Sequence, residues 1–293
     1  MSYQSIEVRP LAGNIGAEIF GPDLSRLTDE VFAEIHDAFM KHCVIFFRDQ
    51  DLTLEDHYNL VRRFGPLLED PFIKPPEGQN EVTMVAREPH ETHTFGESWH
   101  TDTSYMKKPP AATLLYALEV PPYGGDTLFA NQYLAYETLS PGLREVLDGL
   151  VAIHDTKGYN QILLTKFKPD WSVKPRLDDK MEEAAKIVTE HPLVRTHPIT
   201  GRKALYMSRG YTRYFKGWAF DESRVLIDWL ADWQVKPEFT CRFRWEKGSL
   251  AIWDNRCALH KAMNDYRNVR RIMRRIMAEG DKPQGPALRH EAA

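Results

Sequence analysis

The sequence predicts a mainly β protein with flanking helices, a β-sandwich or jelly roll, and three observations lead there. Short β-like runs crowd the chain after residue 98, Pro- and Gly-rich turn clusters separate them, and few segments carry apolar residues at helical spacing. At 293 residues, with 42% hydrophobic residues, 7 Trp and 12 Tyr, the chain can bury a large core. We read it as one domain, 1–293, in which residues 1–97 pack on a core of residues 98–283.

In the first third, Thr28 can cap a helix through "DEVFAEIHDAFMKH", where Phe32, Ile35 and Phe39 share a face. "CVIFFRDQ" reads as a buried strand. Thr53 and Asp56 resemble a capping box, Asp replacing the usual Glu, for a helix through "LEDHYNLVRRF" that Gly65-Pro66 ends. From residue 98 onward, "ATLLYALEV", "DTLFANQ", "PLVRTHP", "FTCRFRW", "SLAIWD" and "RIMRRIM" read as strands. Two helices interrupt them, one after Ser140-Pro141 and one after Asp221 through "ESRVLIDWLADWQ". Residues 156–190 are polar, long and poorly patterned, which reads as a lid or binding loop.

Composition narrows the function. A net charge of −4 argues against nucleic acid and against an anionic membrane as partners. The N-terminus carries no basic then apolar leader, and no apolar run approaches the ~20 residues of a membrane span. Cys43, Cys241 and Cys257 are odd in number and lie in apolar surroundings, so they read as reduced thiols of a cytoplasmic protein.

The chemistry gathers around "SWHTDTSY". With 11 His and 42 acidic residues in 293 positions, about one or two His-x-Asp/Glu pairs arise by chance, so the pair needs context. On or just leaving a strand, His100 and Asp102 point the same way and Thr101 points away. His260, directly after "SLAIWD", is the best third ligand, which completes a facial triad of two His and one carboxylate with open positions. In "RNVRRIMRRIM" the strand reading puts Arg271, Met273 and Arg275 on one face, and Arg270, Ile272 and Arg274 on the other. An inward Arg needs an anionic partner, so Arg271 suits a carboxylate bound beside the metal and Arg275 a second anion. Arg270 and Arg274 read as a solvated face or an interface. His90 and His93 read as a solvated loop, and His154, His191 and His197 as turn or strand-edge residues. Tyr105, Tyr211 and Trp218 line the substrate pocket or belong to the core, two readings that stay open.

His100-x-Asp102, then His260, ten residues and Arg271, resembles the Fe(II)/2-oxoglutarate dioxygenases. The phrases "VIFFRDQ", "RRFGP", "WHTD", "GGDT", "VRTHPITGRKALY", "RWEKGSLAIWDNR" and "GDKP" make it similar to the taurine and chlorophenoxyalkanoate dioxygenase family over nearly the entire chain. The resemblance implies a double-stranded β-helix (jelly roll) core, Fe(II) held by His100, Asp102 and His260, and 2-oxoglutarate and O2 as cosubstrates. It implies that Arg271 clamps the distal carboxylate of 2-oxoglutarate, that the Thr127 hydroxyl donates to it, and that Arg275 holds the sulfonate or carboxylate of the substrate. The implied reaction is hydroxylation of a small anionic organic molecule (sulfonate, sulfate ester, carboxylate or aryloxyalkanoate), releasing succinate and CO2, with C–S or C–O cleavage where the hydroxylated carbon bears the heteroatom. The alternative is a different substrate class, an amino-acid derivative or natural-product intermediate. A homo-oligomer, dimer or tetramer, is also implied. The chain departs from taurine-specific members in the pocket: Asp70 and Ile73 stand where they carry His and Tyr, Gly96 where they carry Asn, and Tyr211 at an aromatic position.

Overall fold

In the computed structural model of the chain, residues 3–157 and 171–287 are described. Helix starts obey local rules. The Thr28 hydroxyl accepts from the Val31 N–H to open α1 (Asp29–His42), and Thr53 and Asp56 close a reciprocal capping box on α2 (Leu54–Arg62). After the short α3 (Gln132–Glu137), Ser140 caps α4 (Pro141–Asp148), with Pro at its first position.

An eight-stranded sheet runs β1 (Glu7–Pro10), β2 (Ala17–Phe20), β3 (Val44–Phe47), β14 (Leu250–Asp254), β6 (Pro110–Glu119), β16 (Arg271–Glu279) and β4 (Leu67–Leu68), with β5 (Thr83–Arg87) also on β16. Among the described residues, only β2 and β3 pair in parallel within it. Residues 1–97 therefore do more than pack on the sheet, since they supply β1 to β5. A three-stranded sheet orders β13 (Thr240–Phe243), β7 (Thr127–Asn131) and β15 (Ala258–Ala262).

Alternation along β3 explains the layering. Ile45 and Phe47 join Ile35 and Phe39 of α1 and Leu60 and Val61 of α2, whereas Val44 and Phe46 join Phe129 and Phe243 of the smaller sheet. Phe46 stacks on Phe243 with centroids 4.0 Å apart. With both faces covered, "VIFF" is buried throughout, as a continuous apolar run requires.

A second three-stranded sheet orders β12 (Thr212–Phe215), β8 (Val151–Asp155) and β9 (Val188–Pro192), beside the hairpin of β10 (Val194–Thr196) and β11 (Lys203–Leu205). Two further helices among the described residues are α5 (Asp179–Ala184) and α6 (Phe220–Trp233).

Four expectations change. Within the loop expected over 156–190, residues 158–170 lie outside the described residues, but its end holds α5 and β9: Asp178 caps the helix through the Met181 N–H, and Met181 and Ala184 bury one side of it. The helix expected after Asp221 begins earlier, at Phe220, and the Glu222 carboxylate accepts from the Ala219 N–H at 2.9 Å. His154 is neither turn nor strand edge. It sits buried on the central strand β8, where the Ser104 hydroxyl at 3.0 Å and the Thr212 hydroxyl at 3.4 Å occupy both ring nitrogens in place of water. Arg274 is not solvated, because α2 and the loop before it cover that face of β16. Its Nε donates to His57 Nδ1 at 3.1 Å, and Nη2 donates to the carbonyls of Leu52 and Thr53. Burial, helped by that guanidinium, pushes His57 down to about 3, so its imidazole is neutral and can accept. Arg270, just before the strand, is exposed and pairs with Glu88 and Glu119.

The end of β16 tests the packing. A Cβ on Gly280 would lie 2.3 Å from the Pro109 carbonyl oxygen and 2.7 Å from the Ala111 nitrogen, both backbone atoms that cannot swing aside. Gly280→Ala is expected to lower stability by about 2 kcal/mol or more in a denaturant titration. Gly142→Ala in α4, with nothing within 4 Å, is expected to leave it unchanged or raise it slightly. Equal midpoints for the two variants would contradict this packing.

Candidate active site

Backbone pairing places the first two functional side chains. The His100 N–H donates to the His260 carbonyl at 3.0 Å, and the His260 N–H returns to the His100 carbonyl at 2.8 Å. Residues that exchange both hydrogen bonds in an antiparallel pair stand opposite each other with side chains on one face. The two rings accordingly lie with centroids 4.2 Å apart. Past the isolated bridge at His100, Thr101 turns away, donating to the Asn255 carbonyl at 2.9 Å, and Asp102 turns back. Thr103, at φ 41°, is in the left-handed region, an uncommon place for a β-branched residue and a mark of strain beside the site.

Asp102 Oδ1 lies 3.8 Å from His100 Nε2 and 3.9 Å from His260 Nε2, and one donor atom from each residue falls within 4.8 Å of the others. The donor set fits a divalent metal. His100 Nδ1 lies 2.6 Å from the Ser98 carbonyl, which can only accept, so the proton sits on Nδ1 and the Nε2 lone pair faces the cluster. Burial pushes His100 down and His260 down to about 3, keeping both imidazoles in the neutral, ligating form. Burial pushes the Asp102 carboxyl up, but the Arg275 guanidinium and the Thr113 hydroxyl beside it help to hold it below its ordinary value. Two neutral imidazoles and one carboxylate, with no fourth His, Cys or acid in the cluster among the described residues, leave coordination positions open.

Residues that the sequence reading missed orient Asp102. Its Oδ2 accepts from the Thr113 hydroxyl at 2.7 Å, and that hydroxyl accepts from Asn255 Nδ2 at 2.8 Å. Asn255 Oδ1 accepts from the Asp102 N–H at 3.1 Å and from Trp253 Nε1 at 3.1 Å. Asn255 thus grips the ligand's backbone and, through Thr113, its carboxylate. The signal was present in "AIWDNR", where a polar Asn directly follows a buried strand.

The cluster opens into a cavity of about 300 Å³ whose lining includes Asp70, Phe95, Tyr105, Tyr211 and Arg275 beside His100 and Asp102. Tyr105 packs edge-on between Phe72 and Tyr211. Ile73 does not reach the cavity; it packs with Phe72, Val173 and Met181 behind it. Trp218 is partly exposed and is not part of the lining either. Gly96 lies against His100, where a Cβ would be 3.3 Å from Cε1. His93 is partly exposed, as a loop residue should be, but it too lines the cavity.

Thr127 sits two residues before Phe129, which pairs with His260 across the sheet. Its hydroxyl accepts from Trp245 Nε1 at 2.9 Å, and the guanidinium of Arg271 lies 5.9 Å from the centroid of the Trp245 ring. Arg271 is 3% exposed, and its Nε has no hydrogen-bond partner among the described residues. Burial lowers its pKa from the ordinary arginine range. A buried cation of this kind calls for an anionic ligand. Arg275 differs, pairing with Asp70 and with Asp102.

Thr113→Val keeps the shape of the side chain and removes the hydroxyl. It is expected to weaken metal binding about 10- to 100-fold in a Co(II) titration while the far-UV circular dichroism stays unchanged. Unaltered affinity would contradict the clamp on Asp102.

A family model described as "Taurine catabolism dioxygenase TauD, TfdA family" matches residues 7–277. An alpha-ketoglutarate-dependent sulfate ester dioxygenase from Pseudomonas putida is 35% identical over 96% of this chain and 91% of its own. An (S)-phenoxypropionate/alpha-ketoglutarate-dioxygenase from Sphingobium herbicidovorans is 31% identical over 98% of this chain and 99% of its own. The crystal structure of a taurine dioxygenase from Burkholderia xenovorans superposes with a TM-score of 0.80 at 37% identity, covering 97% of this chain and 94% of that one. The chain belongs to the taurine catabolism dioxygenase TauD, TfdA family.

Proposed function

We propose that the chain uses Fe(II), 2-oxoglutarate and O2 to hydroxylate a small anionic organic substrate, namely a sulfonate, a sulfate ester or a carboxylate such as an aryloxyalkanoate. Cleavage of a C–S or C–O bond follows where the hydroxylated carbon bears the heteroatom. The observation that carries this reading is the His100–Asp102–His260 cluster, open on one side to a cavity of about 300 Å³. The sulfate ester and phenoxypropionate dioxygenases among its relatives support the substrate class.

Bound Fe(II) would supply oxygen activation coupled to decarboxylation of 2-oxoglutarate to succinate and CO2. The chain's own residues bind and orient. His100 and His260 offer Nε2, and Asp102 offers Oδ1 while Thr113 holds Oδ2. Arg271 would take the distal carboxylate of 2-oxoglutarate through its planar fork of donors. Because the Thr127 oxygen accepts from Trp245, its own O–H is left to donate toward the same cosubstrate. Phe95, Tyr105 and Tyr211 would keep water from the reacting carbon.

In this reading the eight-stranded sheet and the β13–β7–β15 sheet form a double-stranded β-helix, or jelly roll, core within a single domain. A reducing, cytoplasmic setting suits the three buried free thiols. No helix among the described residues is long and apolar enough to cross a membrane. The exposed side chains of Val225 and Trp229, one turn apart on α6, together with Phe220, support a homo-oligomer.

Succinate release across octyl sulfate, 2-phenoxypropionate and taurine tests the reading. Release is expected to require Fe(II), O2 and 2-oxoglutarate together, with taurine the poorest of the three. Arg271→Ala is expected to raise the KM for 2-oxoglutarate about tenfold or more. No release with any anionic compound, or an unchanged KM in Arg271→Ala, would refute it.

A further inference from the structure

Arg271 and Arg275 face the same way along β16 but differ in what satisfies them. The terminal nitrogens of Arg275 already have acceptors: Nη1 donates to Asp102 Oδ1 at 3.1 Å, and Nη2 pairs with Asp70 Oδ2 and lies 3.4 Å from the Thr83 hydroxyl. Asp70 is itself held firmly. Its Oδ1 accepts from the N–H groups of Phe72 and Ile73 at 2.8 and 3.1 Å. The stretch that follows is strapped to residues 174–176, with Lys74 N–H on the Lys174 carbonyl at 2.9 Å and Arg176 N–H on the Phe72 carbonyl at 2.7 Å. Asp70 and Arg275 are 4% and 5% exposed, and both line the cavity next to His100 and Asp102.

We propose that Asp70 is a specificity-determining residue whose carboxylate occupies, on Arg275, the place that the acid group of a substrate would otherwise take. The end of the substrate nearest the metal-ligand cluster is then uncharged. The physical reason is charge balance at low dielectric. Arg275 is already paired with the Asp70 carboxylate, so a further anion brought against it meets repulsion from that carboxylate and gains little from a cation already matched. Pulling Asp70 away would also strand two buried backbone N–H groups. The acid group of an anionic substrate is left to Arg209 and Arg213, which line the same cavity and are part exposed. Arg209 is paired with Asp228 and Asp232, both exposed, and such a surface pair exchanges partners at little cost. Arg213 is paired with Asp155. The inference rests on the anionic-substrate reading only for this last assignment.

The test uses the holoenzyme loaded with Fe(II) and 2-oxoglutarate without oxygen, and methanesulfonate as a probe small enough to reach Arg275. Asp70→Asn retains an oxygen for the Phe72 and Ile73 N–H groups and removes the charge. By calorimetry it is expected to bind methanesulfonate about tenfold or more tighter than the native protein, and adding Arg275→Met is expected to abolish the gain. Native binding as tight as that of Asp70→Asn, or no binding by either protein, overturns the role of Asp70. With octyl sulfate turnover as a second readout, Arg213→Ala is expected to raise KM about fivefold. An unchanged KM in both Arg209→Ala and Arg213→Ala overturns the placement of the acid group. Should succinate release accompany only uncharged compounds, the anionic class fails while the methanesulfonate titration still decides the role of Asp70.

Discussion

Two backbone hydrogen bonds between His100 and His260 fix the site on which everything else depends. They join segments 160 positions apart, set both imidazoles on one face, and leave the next residues free to turn Asp102 back under them. A side-chain substitution does not directly remove such a pair, because it is made by main-chain atoms. The side chains then refine it: the Ser98 carbonyl chooses the tautomer of His100, and Asn255 and Thr113 aim the carboxylate. The strain at Thr103 is the local cost of a turn sharp enough to bring Asp102 next to both rings.

Around this pair, buried charge is distributed by partner. Four arginines at the start of β16 and along it have four fates. Arg270 is at the surface with two glutamates, and Arg274 is sealed under α2 by carbonyls and a neutral His57. Arg275 is matched by Asp70 and Asp102. Arg271 is buried beside Trp245, with its Nε lacking a partner among the described residues. Strand alternation alone assigns faces and cannot separate these environments. What covers each face does so. The contrast between Arg271 and Arg275 gives the site one strong demand for an outside anion, and that demand suits a dicarboxylic cosubstrate.

The grouping of His100, Asp102 and His260 was legible in the sequence because its spacing follows periodicity: an i, i+2 pair, and a His shortly after a strand. Caps at Thr28, Thr53 and Ser140 were legible for the same reason, each being decided within a few residues. Long-range coverage was not legible. Arg274 read as solvated because α2 lies more than 200 residues earlier in the chain. His154 read as peripheral because the hydroxyls of Ser104 and Thr212 that replace its water come from distant segments. Asp70 was singled out for its place in the pocket, yet its partner Arg275 was assigned to an outside anion, since one sequence does not reveal which buried charges find each other. Ile73 was expected at the pocket and packs behind it for a similar reason, being drawn into a bridge with Pro175.

The central claim is that His100, Asp102 and His260 hold Fe(II) with 2-oxoglutarate seated against Arg271. Anomalous scattering at the iron edge from crystals grown without oxygen, with Fe(II) and 2-oxoglutarate, tests it directly. The account expects a single peak within ligating distance of His100 Nε2, His260 Nε2 and Asp102 Oδ1, and cosubstrate density ending at the Arg271 guanidinium. A peak elsewhere, or cosubstrate ending at Arg275 with Asp70 displaced, would contradict it.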